Sequence, residues 1–484
     1  MSLNLRVVLI IVFILAFAFQ GSRGLYEPDE GRYTATAINM IRLDDWLVPH
    51  LNSKHEHLTK PPLTYWSIAI SVFVLGQNEW AVRLPYALAF ILTVICLFGM
   101  ARKIVPRKPW LPPLIYATSV LPFAAANIVT TDTILTFWEA LAGVCFVNAW
   151  WADDKSVRRR WMYGMWAAFG LAFLTKGPPG LLPLAGFISF ILLTGDKGRL
   201  RFLFPPVGIV IFLITGFSWF LVLVARKPEL LNYFLVDELF KRVATGSHDR
   251  HNEWYNVFSI YVPALLLGSL PWCIVLIRNG GKIWRRIKSF KFREEREKFQ
   301  VLFLLTCWFL IPLAVFLISS SRMYLYVVPL FIPLSLAEGY ALRNWTFNSF
   351  RIKGLFTWII LLVIFKGVAA FYPHDKNIKP FAEYVREITP FEPSRIIFLD
   401  AGADYGLSFY LDREVRKVFS GDKRLMPADY DSTALEEIQE DKHNVLWITK
   451  TDIVDPVMRI LKNRGLKTEI IGKYNEYSIL IESR

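Results

Sequence analysis

Charge is scarce in this chain. Only 20% of its 484 residues are Asp, Glu, Lys or Arg, against about 25% in an average soluble domain. Apolar residues supply 54% and aromatics 15%, which excludes a disordered or collagen-like chain. Cysteine is nearly absent: Cys96, Cys145, Cys273 and Cys307 lie in separate apolar runs. That spacing excludes a disulfide framework or a zinc knuckle, and the four read as small hydrophobes. A complete glycine fingerprint is missing as well. Asp400-Ala401-Gly402-Ala403-Asp404 follows a strand-like run; it reads as a plain strand-to-helix turn, with a ligand loop as the alternative.

Basic charge, by contrast, is in excess. Lys and Arg number 55 against 41 Asp and Glu, a formal charge of +14. Such an excess raises nucleic acid first. In a chain this apolar it points instead to the Lys/Arg-rich loops of a membrane protein, with no nucleic acid partner. A spanning helix needs about 20 mostly apolar residues. Runs of that kind lie near 4–22, 83–101, 110–129, 132–151, 161–176, 178–195, 203–225, 256–277, 300–319, 323–341 and 354–372. The first has no convincing cleavage site after it and reads as a retained helix rather than a signal peptide. A further run, 61–76, is short and opens on Pro61-Pro62; it reads as interfacial or re-entrant.

With the N-terminus placed inside, the inner loops 102–109, 152–160, 196–202, 278–299 and 342–353 hold 23 Lys/Arg in 58 residues. The outer loops 23–82 and 226–255 hold 10 in 90. This asymmetry follows the positive-inside rule, and an odd number of spans puts the C-terminus outside. The tail from residue 374 is polar. Strand-like runs at Arg395–Asp400, Val445–Lys450, Thr468–Gly472 and Tyr477–Ile481 alternate with helical patterns at Lys379–Ile388, Thr433–Glu440 and Pro456–Asn463. The expected organisation is therefore a membrane domain over 1–373 and a small α/β domain over 374–484.

The unusual polar residues gather on the outer side. Asp29 and Glu30 follow the first span and suit a general base or metal ligands, with Arg32 beside them; a capped helix start on a solvated loop is the plainer reading. Lys60 precedes Pro61-Pro62, which holds its backbone extended. Its ammonium then lies at headgroup depth, where it meets a lipid phosphate or merely snorkels. Arg83 has the same two readings. Trp46, Tyr65 and Trp66 suit an interfacial belt. His50, His55 and His57 are zinc-like in spacing or simply solvated. Asp132 caps a span or serves a site. Lys176 caps a helix C-terminus or meets a phosphate. The loop 226–255 adds Arg242, and Ser321-Arg322 leads to Tyr326. Each residue is ambiguous alone. Acids for base work and cations for phosphate on one membrane face form a site pattern.

These residues carry a resemblance. Tyr26, Asp29-Glu30-Gly31-Arg32-Tyr33, Asp45-Trp46-Leu47-Val48-Pro49-His50, Lys60-Pro61-Pro62-Leu63, Asn78-Glu79-Trp80-Ala81, Lys176-Gly177-Pro178, Pro271-Trp272 and Ser321-Arg322 with Tyr326-Val327-Val328-Pro329 resemble bacterial polyprenyl-phosphate-sugar glycosyltransferases of the GT-C class. The pattern is most similar to the 4-amino-4-deoxy-L-arabinose lipid A transferases, relatives of the protein O-mannosyltransferases. Similarity is strong over about 25–200 and patchy to about 335.

The resemblance implies a polytopic α-helical GT-C fold of about 11–13 spanning helices, with interfacial helices in the first periplasmic loop, 23–82, and a small periplasmic α/β domain. It implies a multi-pass bacterial inner-membrane protein with its active site periplasmic. Asp29, with Glu30, would be catalytic. Lys60 would meet the donor phosphate of an undecaprenyl-phosphate-sugar, with Arg83, Arg242, Arg322 and Tyr326 around it. Arg32, Asp132, Lys176 and Tyr65 would support them. The expected acceptor is lipid A, with another glycolipid or protein hydroxyls as alternatives. No cofactor is implied, and a divalent cation stays open. Two positions depart from the family: Thr59 stands where a glutamate is frequent, and Arg322 where a lysine is. A transporter is the rival outside the class, but its charges belong near the bilayer midplane, commonly in repeats. No repeat is visible here. A non-catalytic scaffold is the third reading, and the intact Asp29, Lys60 and Tyr326 set argues against it.

Overall fold

The computed structural model describes residues 4–194, 197–234, 253, 255–288, 296–319, 321–440 and 444–482. By contacts the chain divides into two compact units. One takes Met1–Gln20, Thr59–Thr64 and Arg83–Ala369; the other takes Gly21–Leu58, Tyr65–Val82 and Ala370–Arg484. The expected division at 374 groups the first loop with the helices. The contacts instead group most of that loop with the tail.

The first unit is helical. All eleven apolar runs form helix; the run 61–76 forms Leu63–Leu75, most of which belongs to the second unit. Among the described residues six helices are long and apolar enough to cross a membrane: Glu79–Ile104, Thr131–Trp150, Leu200–Arg226, Phe299–Ile318, Tyr324–Ala341 and Ser349–Phe371. Fewer expected spans therefore emerge as single long helices, for identifiable reasons. The run 110–129 breaks at Ser119 into Leu111–Thr118 and Val120–Ala125. The run 256–277 breaks before Trp272, where Pro271 withholds an N–H. Helix Lys155–Lys176 spends its first turns on Arg158, Arg159 and Arg160. Aromatic rings fill the interior: Phe146 stacks on Phe187 at 4.1 Å between centroids, and Trp308 meets Phe187 edge-on at 5.0 Å.

In the second unit, helix Asp29–Arg42 is followed by strands β1 (His50–Asn52) and β2 (His55–Glu56), an antiparallel pair. The tail supplies β3 (Arg395–Leu399), β4 (Glu414–Phe419), β5 (Ser432–Thr433), β6 (Val445–Lys450), β7 (Thr468–Tyr474) and β8 (Tyr477–Glu482). Their order is β5-β4-β3-β6-β8-β7. The first four are parallel and the last two run antiparallel. Four of these strands and the three expected tail helices stand where the sequence places them, and a further short helix forms at Leu407–Leu411. Helix Ala434–Gln439 starts at a capping box: Glu436 N–H meets the Thr433 hydroxyl, and the Glu436 carboxylate accepts from Thr433 N–H at 2.9 Å.

β4 escapes sequence reading because it carries charge inward. Arg416 on β4 and Arg395 on β3 are buried, and both reach Glu437 and Glu440. Arg416 donates to Glu437 at 2.8 Å and to the Ser53 hydroxyl at 3.0 Å. Lys54 joins from the first loop, 3.2 Å from Glu437. Asn52 donates to Asp431 at 2.7 Å. A buried ion cluster thus ties the β1–β2 hairpin to the sheet.

Removing one partner strands the others without water. Glu437→Ala should cost about 3–5 kcal/mol of stability, read as a lower unfolding midpoint of the detergent-purified protein. Acid should act in the same direction. Arg416 and the Ser432 hydroxyl hold Glu437 below its usual range, and Lys54, Arg395 and Arg416 draw Glu440 down to about 2, each against an opposing burial effect. Their contribution is present above the ordinary carboxylate value, about 4.3, and lost as pH falls toward 2.

Candidate active site

In the second unit Asp29 and Glu30 lie on the first turn of helix Asp29–Arg42. The structure separates the two by partner. Glu30 is 1% exposed. Both its oxygens meet the Arg23 guanidinium, at 2.7 and 2.8 Å, and one also accepts from the Tyr26 N–H at 2.9 Å. Arg23 in turn lies 3.9 Å over the Tyr26 ring. This is a fork-on-fork ion pair of the tight bidentate kind. Asp29 is only partly buried, and so is Arg32. Neither side chain forms a hydrogen bond or ion pair among the described residues. Three positions apart on a helix, they share a face. Sequence reading missed Arg23. Its one sequence signal is an arginine seven residues before a helix-start glutamate.

Tyr65 belongs to the same unit. It is fully buried, stacked on Tyr33 at 5.6 Å and met edge-on by His57 at 6.1 Å. It is therefore an interior ring rather than the interfacial belt residue its neighbours suggested. Trp66 donates its indole N–H to the Trp46 carbonyl at 2.6 Å. The three loop histidines do not converge: His50 meets Asp45 at 3.2 Å and His55 meets Asp431 at 3.2 Å. Among the described residues no group of three or more His, Cys, Asp or Glu is placed to hold a metal ion.

In the first unit the helices Thr131–Trp150 and Lys155–Lys176 form an antiparallel hairpin. Asp132 opens the first and Lys176 closes the second, so the turn at 151–154 brings the two to one end. Lys176 Nζ lies 2.5 Å from Asp132 Oδ1 and 4.2 Å over the Tyr326 ring. Asp132 is buried and Lys176 nearly so. Three residues from distant parts of the sequence thus form one cluster. Glu139, two turns further along the Asp132 helix, interacts electrostatically with both Lys176 and Asp132; it was not singled out in the sequence.

Arg83 is buried at the start of its helix. It is bound to the end of the first helix, where Gln20 donates to the Arg83 carbonyl at 2.9 Å and an Arg83 nitrogen lies 3.5 Å from the Gln20 carbonyl. Lys366 joins them, donating to the carbonyls of Leu15 at 3.1 Å and Ala16 at 2.8 Å. Cations suit a helix C-terminus, so this pair also closes the first helix. Arg322 is buried and reaches the Glu253 carbonyl at 3.4 Å. Lys60 is partly buried before the buried Pro61 and Pro62. Arg242 lies outside the described residues.

Breaking the Asp132–Lys176 pair from one side leaves an unmatched charge in an apolar bundle. Asp132→Asn should lower the thermal midpoint in detergent more than the double variant Asp132→Asn with Lys176→Met, a coupling of about 1–3 kcal/mol. Additive effects of the two substitutions would remove the pair from the stabilising interactions.

Comparison with known proteins agrees with this architecture. Residues 59–222 match the family described as dolichyl-phosphate-mannose-protein mannosyltransferase. The undecaprenyl phosphate-alpha-4-amino-4-deoxy-L-arabinose arabinosyl transferase 2 of Pseudomonas fluorescens is 31% identical over 341 residues, 69% of this chain and 58% of that protein. The corresponding transferase of Edwardsiella ictaluri is 29% identical over 377 residues, 75% and 64% respectively. The chain thus spans about three fifths of the length of these relatives. The crystal structure of ArnT from Cupriavidus metallidurans bound to undecaprenyl phosphate superposes with a TM-score of 0.79 at 20% identity, covering 98% of this chain and 97% of that one. The archaeal oligosaccharyltransferase AglB from Archaeoglobus fulgidus gives 0.54 at 13% identity, over 93% and 69%. The resemblance read from the sequence therefore holds: the chain is a multi-pass membrane protein with the GT-C fold that ArnT and AglB share.

Proposed function

We propose that the chain is an inverting glycosyltransferase. It moves a sugar from an undecaprenyl-phosphate-linked donor to a periplasmic acceptor. The sugar is 4-amino-4-deoxy-L-arabinose, the one named for its relatives, and the acceptor is lipid A, as the sequence resemblance implies. The observation that carries the reading is the division between the two outer acids. Glu30 is spent on Arg23, whereas Asp29 and Arg32 keep their charged groups for a substrate.

In this reading Asp29 takes the proton of the acceptor as its oxygen attacks the anomeric carbon. The bond from that carbon to the lipid phosphate breaks, and the phosphate leaves with the electron pair. Lys60, Arg242 and Arg322 stabilise the charge that develops on it; Arg322 presents a planar fork that suits phosphate. Tyr326 lies with Lys176 and Asp132 in support. Glu30 holds the helix start that presents Asp29. Residues 1–373 act as the membrane-embedded transferase body and 374–484 as its periplasmic domain, in the inner membrane with the N-terminus cytoplasmic. A second reading rests on the match over 59–222: with Thr59 at a position where a glutamate is frequent, a hexose such as mannose would go to protein hydroxyls or another glycolipid.

Mass spectrometry of lipid A from a deletion strain carrying wild-type or variant chain tests this. Asp29→Asn and Lys60→Ala should each lower transfer by at least about 10²-fold with the protein still folded. Glu30→Gln should lower the melting temperature first. Unchanged lipid A, with a hexose missing from proteins, favours the second reading; turnover at the wild-type rate in Asp29→Asn sinks the assignment.

A further inference from the structure

Glu27 is a buried carboxyl with no place in the chemistry above. It lies two residues before Asp29 and is 9% exposed. One of its oxygens accepts from the Gly406 N–H; the other is buried with no hydrogen-bond partner among the described residues. The carboxyl is wedged between two glycines. A Cβ on Gly31 would lie 2.0 Å from Glu27 Oε1, and a Cβ on Gly406 2.5 Å from the same atom. Only glycine permits that approach on either side. The backbone is held to the tail as well. Glu27 N–H donates to the Lys376 carbonyl at 2.9 Å, Ile378 N–H to the Leu25 carbonyl at 3.0 Å, and Leu25 N–H to the Tyr410 hydroxyl at 2.9 Å. Tyr26 stacks on His374 at 5.2 Å.

We propose that Glu27 is a positioning residue: through its contact with Gly406, the C-terminal domain holds the turn that carries Asp29 and Arg32. This rests on the assignment of Asp29 above and gives the tail a part in the reaction. The groups facing the carboxyl are Asp404, Tyr405 and Tyr477 from the tail, and Asp29 and Arg32 from its own segment. Burial, reinforced by Asp404 and Asp29, pushes Glu27 well above the usual carboxylate range against the pull of the Gly406 N–H and Arg32. The wedge therefore favours the neutral acid, and ionisation as pH rises works against it.

Two variants separate this role from bulk. Glu27→Gln reproduces the neutral acid in shape. Glu27→Ala removes the wedge. Hydrogen exchange of the full-length protein in detergent reads the coupling without any substrate. In Glu27→Ala, peptides covering 25–33 and 404–411 should both exchange at least about tenfold faster; in Glu27→Gln neither should change. With undecaprenyl-phosphate-aminoarabinose as donor and lipid A as acceptor, Glu27→Ala should lose kcat at least about tenfold with donor KM unchanged. Glu27→Gln should keep most activity, and its alkaline limb should move to higher pH. Unaltered exchange in Glu27→Ala, or faster exchange with kcat intact, overturns the proposal. So does a Glu27→Gln profile that falls at the wild-type pH. Absence of turnover in the wild type counts against the donor and acceptor assignment instead, and leaves the exchange result to decide the role of Glu27.

Discussion

The first apolar helix ends at Phe17, and beyond it the backbone at Leu25 must find hydrogen-bond partners. It finds them about 350 residues later, along Lys376–Ile378 and at Tyr410. A buried peptide group left unpaired costs as much as a lost hydrogen bond, so this pairing is the constraint from which the second unit grows. It fixes where helix Asp29–Arg42 begins. It brings the β1–β2 hairpin to the sheet, where Ser53 and Lys54 enter the ion cluster of Arg395, Arg416, Glu437 and Glu440 and Asn52 bonds the Val415 carbonyl and Asp431. It also explains why the contacts count most of the first loop with the tail.

The chain has few charges, and the structure sorts them by whether they are committed. Glu30, Arg395, Arg416 and Glu437 are buried with several partners each. Groups of that kind are weak evidence for net stability but strongly resist loss of one member. Asp29 and Arg32 are the opposite case. Their freedom is preserved because Arg23 neutralises Glu30 one residue away and because the helix start is anchored by backbone rather than by their side chains. Asp132, Lys176 and Tyr326 stand between the two cases. The ion pair is closed, yet the ammonium also meets an aromatic face, a weak contact.

Much of this was legible in the sequence, for physical reasons. Apolar runs of spanning length have a single stable form in a membrane, because every backbone group must be satisfied internally; all eleven are helical. The tail strands Arg395–Leu399, Val445–Lys450, Thr468–Tyr474 and Tyr477–Glu482 announce themselves by β-branched and aromatic content. β4 does not, since Glu414-Val415-Arg416-Lys417 looks like surface until Glu437 is known to lie beneath Arg416. In the site, the type of residue was legible and its employment was not. Nothing local distinguishes Glu30 from Asp29; the difference is made by Arg23 and by the side each carboxylate takes on the helix. Tyr65 was misplaced for a similar cause, because an amphipathic ring in an apolar segment suits a membrane interface and a protein interior equally well.

Glu27 extends the same logic to a residue that local pattern reading passes over. Glutamate before proline at a helix start looks like cap chemistry, and a solvated carboxylate would serve. Its burial between Gly31 and Gly406 has no such local explanation. A carboxyl in that wedge costs desolvation. The fold offsets that cost with one backbone N–H and by favouring the neutral form. Valine or leucine would fill the space more cheaply, but neither could accept from Gly406. What the acid adds over an apolar residue is direction: a hydrogen bond that fixes where the Gly406 loop meets the turn before Asp29. A base that must reach a substrate oxygen within hydrogen-bonding distance tolerates little displacement, and a directional contact two residues away limits it.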